Sequence, residues 1–132
     1  MAKKRILIVE DEIGVLKVTK LRLEHEGYDV ITATDGKEAL QRVVSEFPIH
    51  LVLLDIMLPR LNGYDVCRAL KRQPSTAEIP VIVFTATEAQ QQRLADRCIE
   101  VGVADWIKKP FDTKELLMKI RHALGEEDGF DE

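Results

Sequence analysis

Glu10, Asp11, Asp55, Thr85 and Lys109 are the residues of this chain whose types and positions could do chemistry together. Each follows a short apolar run. Ile6-Leu7-Ile8-Val9 stops at Glu10-Asp11, Leu51 to Leu54 at Asp55, Val81 to Phe84 at Thr85, and Val103 to Ile107 before Lys108-Lys109-Pro110. Three carboxylates gathered within a few ångströms would repel one another and raise their pKa values unless a cation lay among them. A single lysine leaves a net charge of about −2 with every group ionised, which suits a divalent metal. All-oxygen ligation completed by water favours magnesium over zinc, and such an ion keeps positions open for phosphoryl oxygens.

A carboxylate can attack phosphorus and form an aspartyl phosphate. The transferred group must then be held through its equatorial oxygens: the metal takes one, Lys109 another, and the Thr85 hydroxyl with the Ala86 amide a third. Asp55 is the best nucleophile, because it stands alone at the end of a central run, whereas Glu10 and Asp11 form a paired platform suited to metal. Singly, each residue has an ordinary explanation as a helix cap, a turn residue or a solvated lysine. Their joint occurrence at strand ends is what speaks against it. Trp106, the sole tryptophan, would alone be read as a core aromatic. His25, His50 and His122 are isolated in unlike contexts and are read as surface or satisfied residues. Of Lys108 and Lys109 only one can turn inward, since neighbouring strand residues face opposite sides.

These side chains need a scaffold that brings them to one edge. Unbroken β-branched and leucine runs separated by long amphipathic stretches predict parallel strands buried on both faces. Between them the pattern predicts a helix from Ile13 to the stop at Gly27, a second strand over Tyr28 to Ala33, and a helix capped by Asp35 with Glu38 that carries Leu40, Val43, Val44 and Phe47 and ends at Pro48. Asn62-Gly63 opens a third helix closed by Pro74, Thr87 with Gln90 caps a fourth reaching Glu100, and Asp112 with Glu115 caps a fifth holding Leu116, Leu117, Ile120 and Leu124. Five β/α units with right-handed crossovers predict an α/β doubly wound sheet rather than an eight-unit barrel. Ligands in such folds bind outside the carboxyl ends of the strands, where the polar residues lie. The fourth helix is the weakest: Glu88 to Arg93 contains no leucine, isoleucine or valine, so its apolar face rests on Leu94, Cys98, Ile99 and Val101. Less burial means easier movement.

The 132 residues suit one domain able to bury its own core. With 23 acids against 19 bases the net charge is -4, which argues against nucleic-acid binding by this chain alone. Cys67 and Cys98 fall in helical stretches outside any CxxC or Cys/His cluster, so two buried or half-buried free thiols and a reducing, cytoplasmic location are expected. The basic start Met1 to Arg5 is followed by only four apolar residues, and nothing approaches a membrane span. Residues 1–124 are expected to form the domain, with the acidic stretch 125–132 a frayed tail or the start of a linker.

The motifs together resemble a known family. Ile-Leu-Ile-Val-Glu-Asp-Glu at 6 to 12, Leu-Val-Leu-Leu-Asp-Ile-Met-Leu-Pro at 51 to 59, Gly63, Val-Phe-Thr-Ala at 83 to 86 and Lys-Pro-Phe at 109 to 111 resemble the response-regulator receiver domain of two-component signalling, as in chemotaxis regulators. The resemblance covers residues 4 to 124. It implies a flavodoxin-like (βα)5 fold with strand order 2-1-3-4-5, an order that comes from the family and not from the spacing. It implies that Asp55 accepts a phosphoryl group from a phosphohistidine on a sensor histidine kinase or phosphotransfer protein. Asp11, Asp55 and the Met57 backbone carbonyl would bind Mg²⁺, with Glu10 contributing directly or through water, while Thr85 and Lys109 hold phosphoryl oxygens. Trp106 stands in the place of the switch aromatic, more commonly Tyr or Phe, and its larger indole implies a smaller or slower rearrangement. Asn62 and His50 also depart from the family pattern, both away from the chemistry. The implied output is the face of the fourth helix, fifth strand and fifth helix, which engages a downstream protein or domain and in many receivers pairs two phosphorylated copies.

A competing class is a docking module with this fold that works without phosphorylation. Presence of Glu10, Asp11, Asp55, Thr85 and Lys109 together favours the phosphorylatable switch, because docking alone gives no physical need for them. The switch has no separate substrate, so it is not expected to be an enzyme beyond its own Mg²⁺-dependent phosphorylation and dephosphorylation. A flavin-type cofactor binder would need a phosphate loop after the first strand, where Glu10-Asp11-Glu12 would instead repel phosphate. A dehydrogenase is disfavoured by the lack of GxGxxG. No effector domain is recognisable in the 132 residues, which leaves open a stand-alone receiver or part of a longer regulator.

Overall fold

Every residue of Leu51 to Asp55 and of Val81 to Thr85 is buried, as strands covered on both faces must be. The structure, a computed structural model, describes residues 3–86 and 88–126. Its elements alternate without exception among those residues: β1 (Arg5–Val9), α1 (Ile13–His25), β2 (Asp29–Ala33), α2 (Gly36–Ser45), β3 (Leu51–Asp55), α3 (Gly63–Arg72), β4 (Val81–Thr85), α4 (Ala89–Glu100), β5 (Asp105–Lys108) and α5 (Thr113–Ala123). The sheet has order β2-β1-β3-β4-β5, all parallel, so the expected five-stranded doubly wound fold is the observed one.

Side-chain alternation divides the interior in two. Leu7, Val9, Val52, Leu54, Val81 and Val83 face the core shared with α2, α3 and α4. Ile6, Ile8, Leu51, Leu53, Ile82 and Phe84 face the other way, onto Leu16 and Leu23 of α1 and Leu116 and Ile120 of α5. Cys67 on α3 and Cys98 on α4 are free and fully buried in the first core, as expected. Among the described residues no helix is long and apolar enough to cross a membrane.

Caps fall largely where the sequence predicts. The Asp35 side chain accepts from the Glu38 amide, Asn62 from the Asp65 amide and Asp112 from the Lys114 amide, each relieving an orphan donor of the first turn. Four details differ. Helix α4 begins at Ala89 with Glu88 at the N-cap and no side-chain cap bond, placing Gln90 inside the first turn; Thr87 lies outside the described residues. Val44, Phe47 and Ile99, expected on apolar faces, are exposed: Val43 and Cys98 fill the inward stripes of α2 and α4, and Phe47 lies past the end of α2 at Ser45. Strand β5 starts at Asp105 rather than Val103: the register with β4 runs from Asp105 to Lys108, and Ala104 adds only its amide, which donates to the Val81 carbonyl at 2.9 Å. Strand β2 starts at Asp29, one residue after Tyr28. Of the acidic stretch, Gly125 and Glu126 close the end of α5, where the Glu126 carboxylate accepts from the Tyr28 hydroxyl at 2.8 Å; 127–132 lie outside the described residues.

Candidate functional site

The carboxyl ends of β1, β3, β4 and β5 share one edge of the sheet, as parallel pairing requires. Alternation along β1 and β3 puts Glu10 and Asp55 on the side of Ile8 and Leu53, the α1 and α5 side. Carboxylate oxygens of Glu10, Asp11 and Asp55 lie within 4.8 Å of one another. Glu10 is 0% exposed and Asp55 6%, whereas Asp11 faces solvent, so the cluster is a shallow pit with one open wall. Lys109 enters from the loop after β5. Its Nζ donates to Glu10 Oε1 at 2.7 Å and to Asp55 Oδ2 at 3.0 Å. The ammonium sits 5.8 Å from the centre of the Phe84 ring, and Phe84 stacks on Phe111 with centroids 5.0 Å apart, which ties down the loop on the far side of the lysine. Lys108 is exposed and pairs in register with Thr85, so the inward member of the pair is Lys109, as alternation demands.

The electrostatics follow from crowding. Burial pushes the Glu10 carboxyl up to about 7; the Lys109 hydrogen bond opposes this, and the neighbouring Asp55 adds to it. Burial also pulls the Lys109 ammonium down, but its hydrogen bonds to Glu10 and Asp55 outweigh that and leave it above its ordinary value. One cation therefore does not neutralise the pit. Its all-oxygen donors, excess negative charge and open wall fit a hard divalent cation.

Backbone contacts hold the nucleophile candidate. The Met57 amide donates to Asp55 Oδ1 at 3.0 Å and the Ile56 amide to the Phe84 carbonyl. The Gly63 amide donates to the Ile56 carbonyl at 2.8 Å, and a Cβ on Gly63 would stand 2.7 Å from Ile56 Cα and 3.0 Å from the Asp55 carbonyl oxygen. Only glycine lets α3 start this close to the end of β3.

Thr85 lies on the opposite parity, with Val81 and Val83. It is buried, and its hydroxyl donates to the Ala86 carbonyl at 3.1 Å. The Ala86 amide donates to Gln91 Oε1 at 2.7 Å. Trp106 is paired in register with Val83 and half-buried against the core under α4. Lys119 of α5 donates to the Trp106 carbonyl at 2.9 Å, with its ammonium 5.8 Å from the indole. The edge thus has two sides: acids and ammonium toward α1 and α5, hydroxyl and indole toward α4. The sequence names these residues except Gln91 and Lys119, and does not disclose the Gly63 contact or the Phe84–Phe111 stack. A Gly eight residues beyond Asp55 and a Phe two beyond Lys109 were visible signals; nothing local marks Gln91.

A family profile described as the response regulator receiver domain matches residues 6–121. The chain belongs to that family. Among relatives of this receiver domain, the response regulator ArlR of Staphylococcus aureus (strain USA300) is 41% identical over 120 residues, 91% of this chain and 52% of ArlR. The chain spans about half the length of the curated relatives it matches. Among solved structures, a response regulator receiver domain protein (CheY-like) from Methanospirillum hungatei JF-1 aligns with a TM-score of 0.83 and 34% identity, covering 94% of this chain and 95% of that one. The receiver domain of the sensor histidine kinase PA1611 from Pseudomonas aeruginosa PAO1, with a magnesium ion coordinated in its active-site cleft, aligns at 0.83 with 31% identity over 95% of this receiver domain and 100% of that chain.

Proposed function

We propose that this receiver domain is a signalling switch phosphorylated on Asp55 by a phosphohistidine of a sensor histidine kinase or phosphotransfer protein. The observation that carries the reading is the meeting, at one sheet edge, of a buried Asp55 carboxylate with Lys109 Nζ at 3.0 Å and two further acids within 4.8 Å. An Asp55 oxygen attacks phosphorus, the P–N bond to the imidazole breaks, and the freed nitrogen retains the electron pair until it is protonated. Lys109 neutralises charge developing on one phosphoryl oxygen, and the Thr85 hydroxyl with the Ala86 amide receives another. Glu10, Asp11, Asp55 and the Met57 carbonyl are the group that would hold Mg²⁺, which supplies Lewis-acid neutralisation of phosphoryl charge when bound. Loss of the phosphoryl group by hydrolysis at the same site resets the switch, with no separate substrate.

Thr85 and Trp106 share the α4 side of the edge, which supports an output through the face of α4, β5 and α5 toward a partner or a second copy. Residues 1–124 act as the receiver, with the acidic stretch 125–132 a tail or the start of a linker. Incubation with acetyl phosphate and Mg²⁺ is expected to add one phosphoryl group by intact mass, lost in Asp55→Asn and slowed in Asp11→Ala. An adduct that persists in Asp55→Asn sinks the assignment. A wild-type protein that takes no phosphoryl group favours the docking module instead.

A further inference from the structure

Under the proposed function the Ala86 amide receives a phosphoryl oxygen, yet that amide is already engaged. Its N–H donates to Gln91 Oε1 at 2.7 Å, and Gln91 lies in the first turn of α4. Gln92, the next residue of the helix, extends Nε2 to the Ala86 carbonyl at 3.5 Å. The Thr85 hydroxyl donates to that same carbonyl at 3.1 Å. Both donors assigned to the phosphoryl group thus spend their hydrogens elsewhere in the unphosphorylated protein.

The first turn of the helix that makes this contact holds no buried residue. Its N-cap residue Glu88 makes no side-chain cap bond, and its fully buried residues, Ala95 and Cys98, lie in its second half. The glutamines therefore supply specific bonds between the start of α4 and the end of β4. A neutral amide oxygen is a weaker acceptor than an ionised phosphoryl oxygen, so the phosphoryl group can take the Ala86 N–H, but only by displacing Gln91.

We propose that Gln91 is a positioning residue that latches the first turn of α4 to the Ala86 amide, so that phosphorylation of Asp55 frees this turn by claiming the amide. This inference rests on the proposed phosphoryl site. Coupling is reciprocal: a partner that binds α4 with its first turn released favours the phosphorylated form, and one that binds the latched form opposes it.

The test uses the full chain with Mg²⁺ and beryllofluoride as the phosphoryl mimic, comparing wild type, Gln91→Ala and Gln91→Glu. A competing neutral hydrogen bond is worth about a two- to tenfold change in apparent affinity. Gln91→Ala is expected to bind the mimic about two- to tenfold more tightly, and its Ala86 amide to exchange hydrogen faster than wild type before the mimic is added. Gln91→Glu keeps an acceptor for Ala86 and adds a like charge facing the phosphoryl group, so it is expected to bind more weakly than wild type. General loosening of the fold would weaken binding in both variants; opposite signs distinguish the latch from it. A Gln91→Ala protein that binds the mimic no better than wild type overturns the latch while leaving the phosphorylation site intact. A wild-type protein that binds no mimic overturns both readings together.

Discussion

Lys109 Nζ stands 2.7 Å from Glu10 Oε1 across 99 positions of sequence, yet Glu10 remains a carboxyl raised to about 7. Burial of Glu10 is the largest cause and outweighs the bond, and the neighbouring Asp55, held by the same ammonium, adds to the rise. The ion pair therefore leaves an electrostatic debt at the sheet edge that further positive charge would relieve.

That debt has a sign in pH. The Glu10 pKa rises from 4.5 to about 7 on folding, so between those values the folded state binds more protons than the unfolded one. Stability contributed by this group is greatest at low pH and is lost as pH rises through the window. The metal-free protein is expected to show a falling thermal midpoint between about pH 5 and about pH 8, with Mg²⁺ restoring part of it at the upper end. Glu10→Gln should flatten the slope. An unchanged slope in that variant would place the titration elsewhere.

Lys109→Ala removes the cation without touching the nucleophile. Phosphorylation by acetyl phosphate is expected to persist, while the fluorescence change of Trp106 that accompanies it is lost. Lys108→Ala should leave both as in wild type, because its side chain is exposed. Equal defects in the two variants contradict the inward placement of Lys109 alone.

Gly63→Ala inserts a methyl group 2.7 Å from Ile56 Cα and 3.0 Å from the Asp55 carbonyl oxygen. Since both neighbours are backbone, the end of β3 must shift. A stability loss of about 1–3 kcal/mol in urea unfolding is expected, with slower phosphorylation than the stability loss explains at temperatures where the variant is folded. Gly14→Ala, whose added Cβ meets nothing within 4 Å, is the control. Wild-type behaviour of Gly63→Ala would mean the contact is not what sets Asp55.

Trp106 is the side chain expected to follow Thr85 when the phosphoryl group arrives. Hydrogen exchange with and without beryllofluoride should change most in residues 85–111, excluding neither strand nor helix of that stretch. Trp106→Tyr, smaller and still aromatic, should give a larger or faster response. A response confined to Glu10, Asp11 and Asp55, with α4 unaltered, would point to an output surface elsewhere.

Much of this was legible in the chain itself, for physical reasons. A run such as Leu51 to Leu54 can satisfy both faces only between two helical layers, so its burial and its parallel neighbours follow from composition. Parallel strands must end together, which is why the sequence alone gathers Glu10, Asp55, Thr85 and Lys109 at one edge. Caps at Asp35, Asn62 and Asp112 were legible because a side-chain oxygen bonding an amide two or three residues away is a local event. What only the tertiary structure decided were contacts between elements remote in sequence or set by exact approach. The strand order came from family likeness, since five interchangeable apolar runs carry no address for their neighbours. Exposure of Val44 and Ile99 depended on which face each helix turned to the sheet, and that of Phe47 on α2 ending at Ser45. The raised Glu10 pKa required knowing that its carboxylate is fully buried beside Asp55. Gln91 on Ala86 was invisible because a glutamine in a polar helical turn looks solvated until the strand end that meets it is in place.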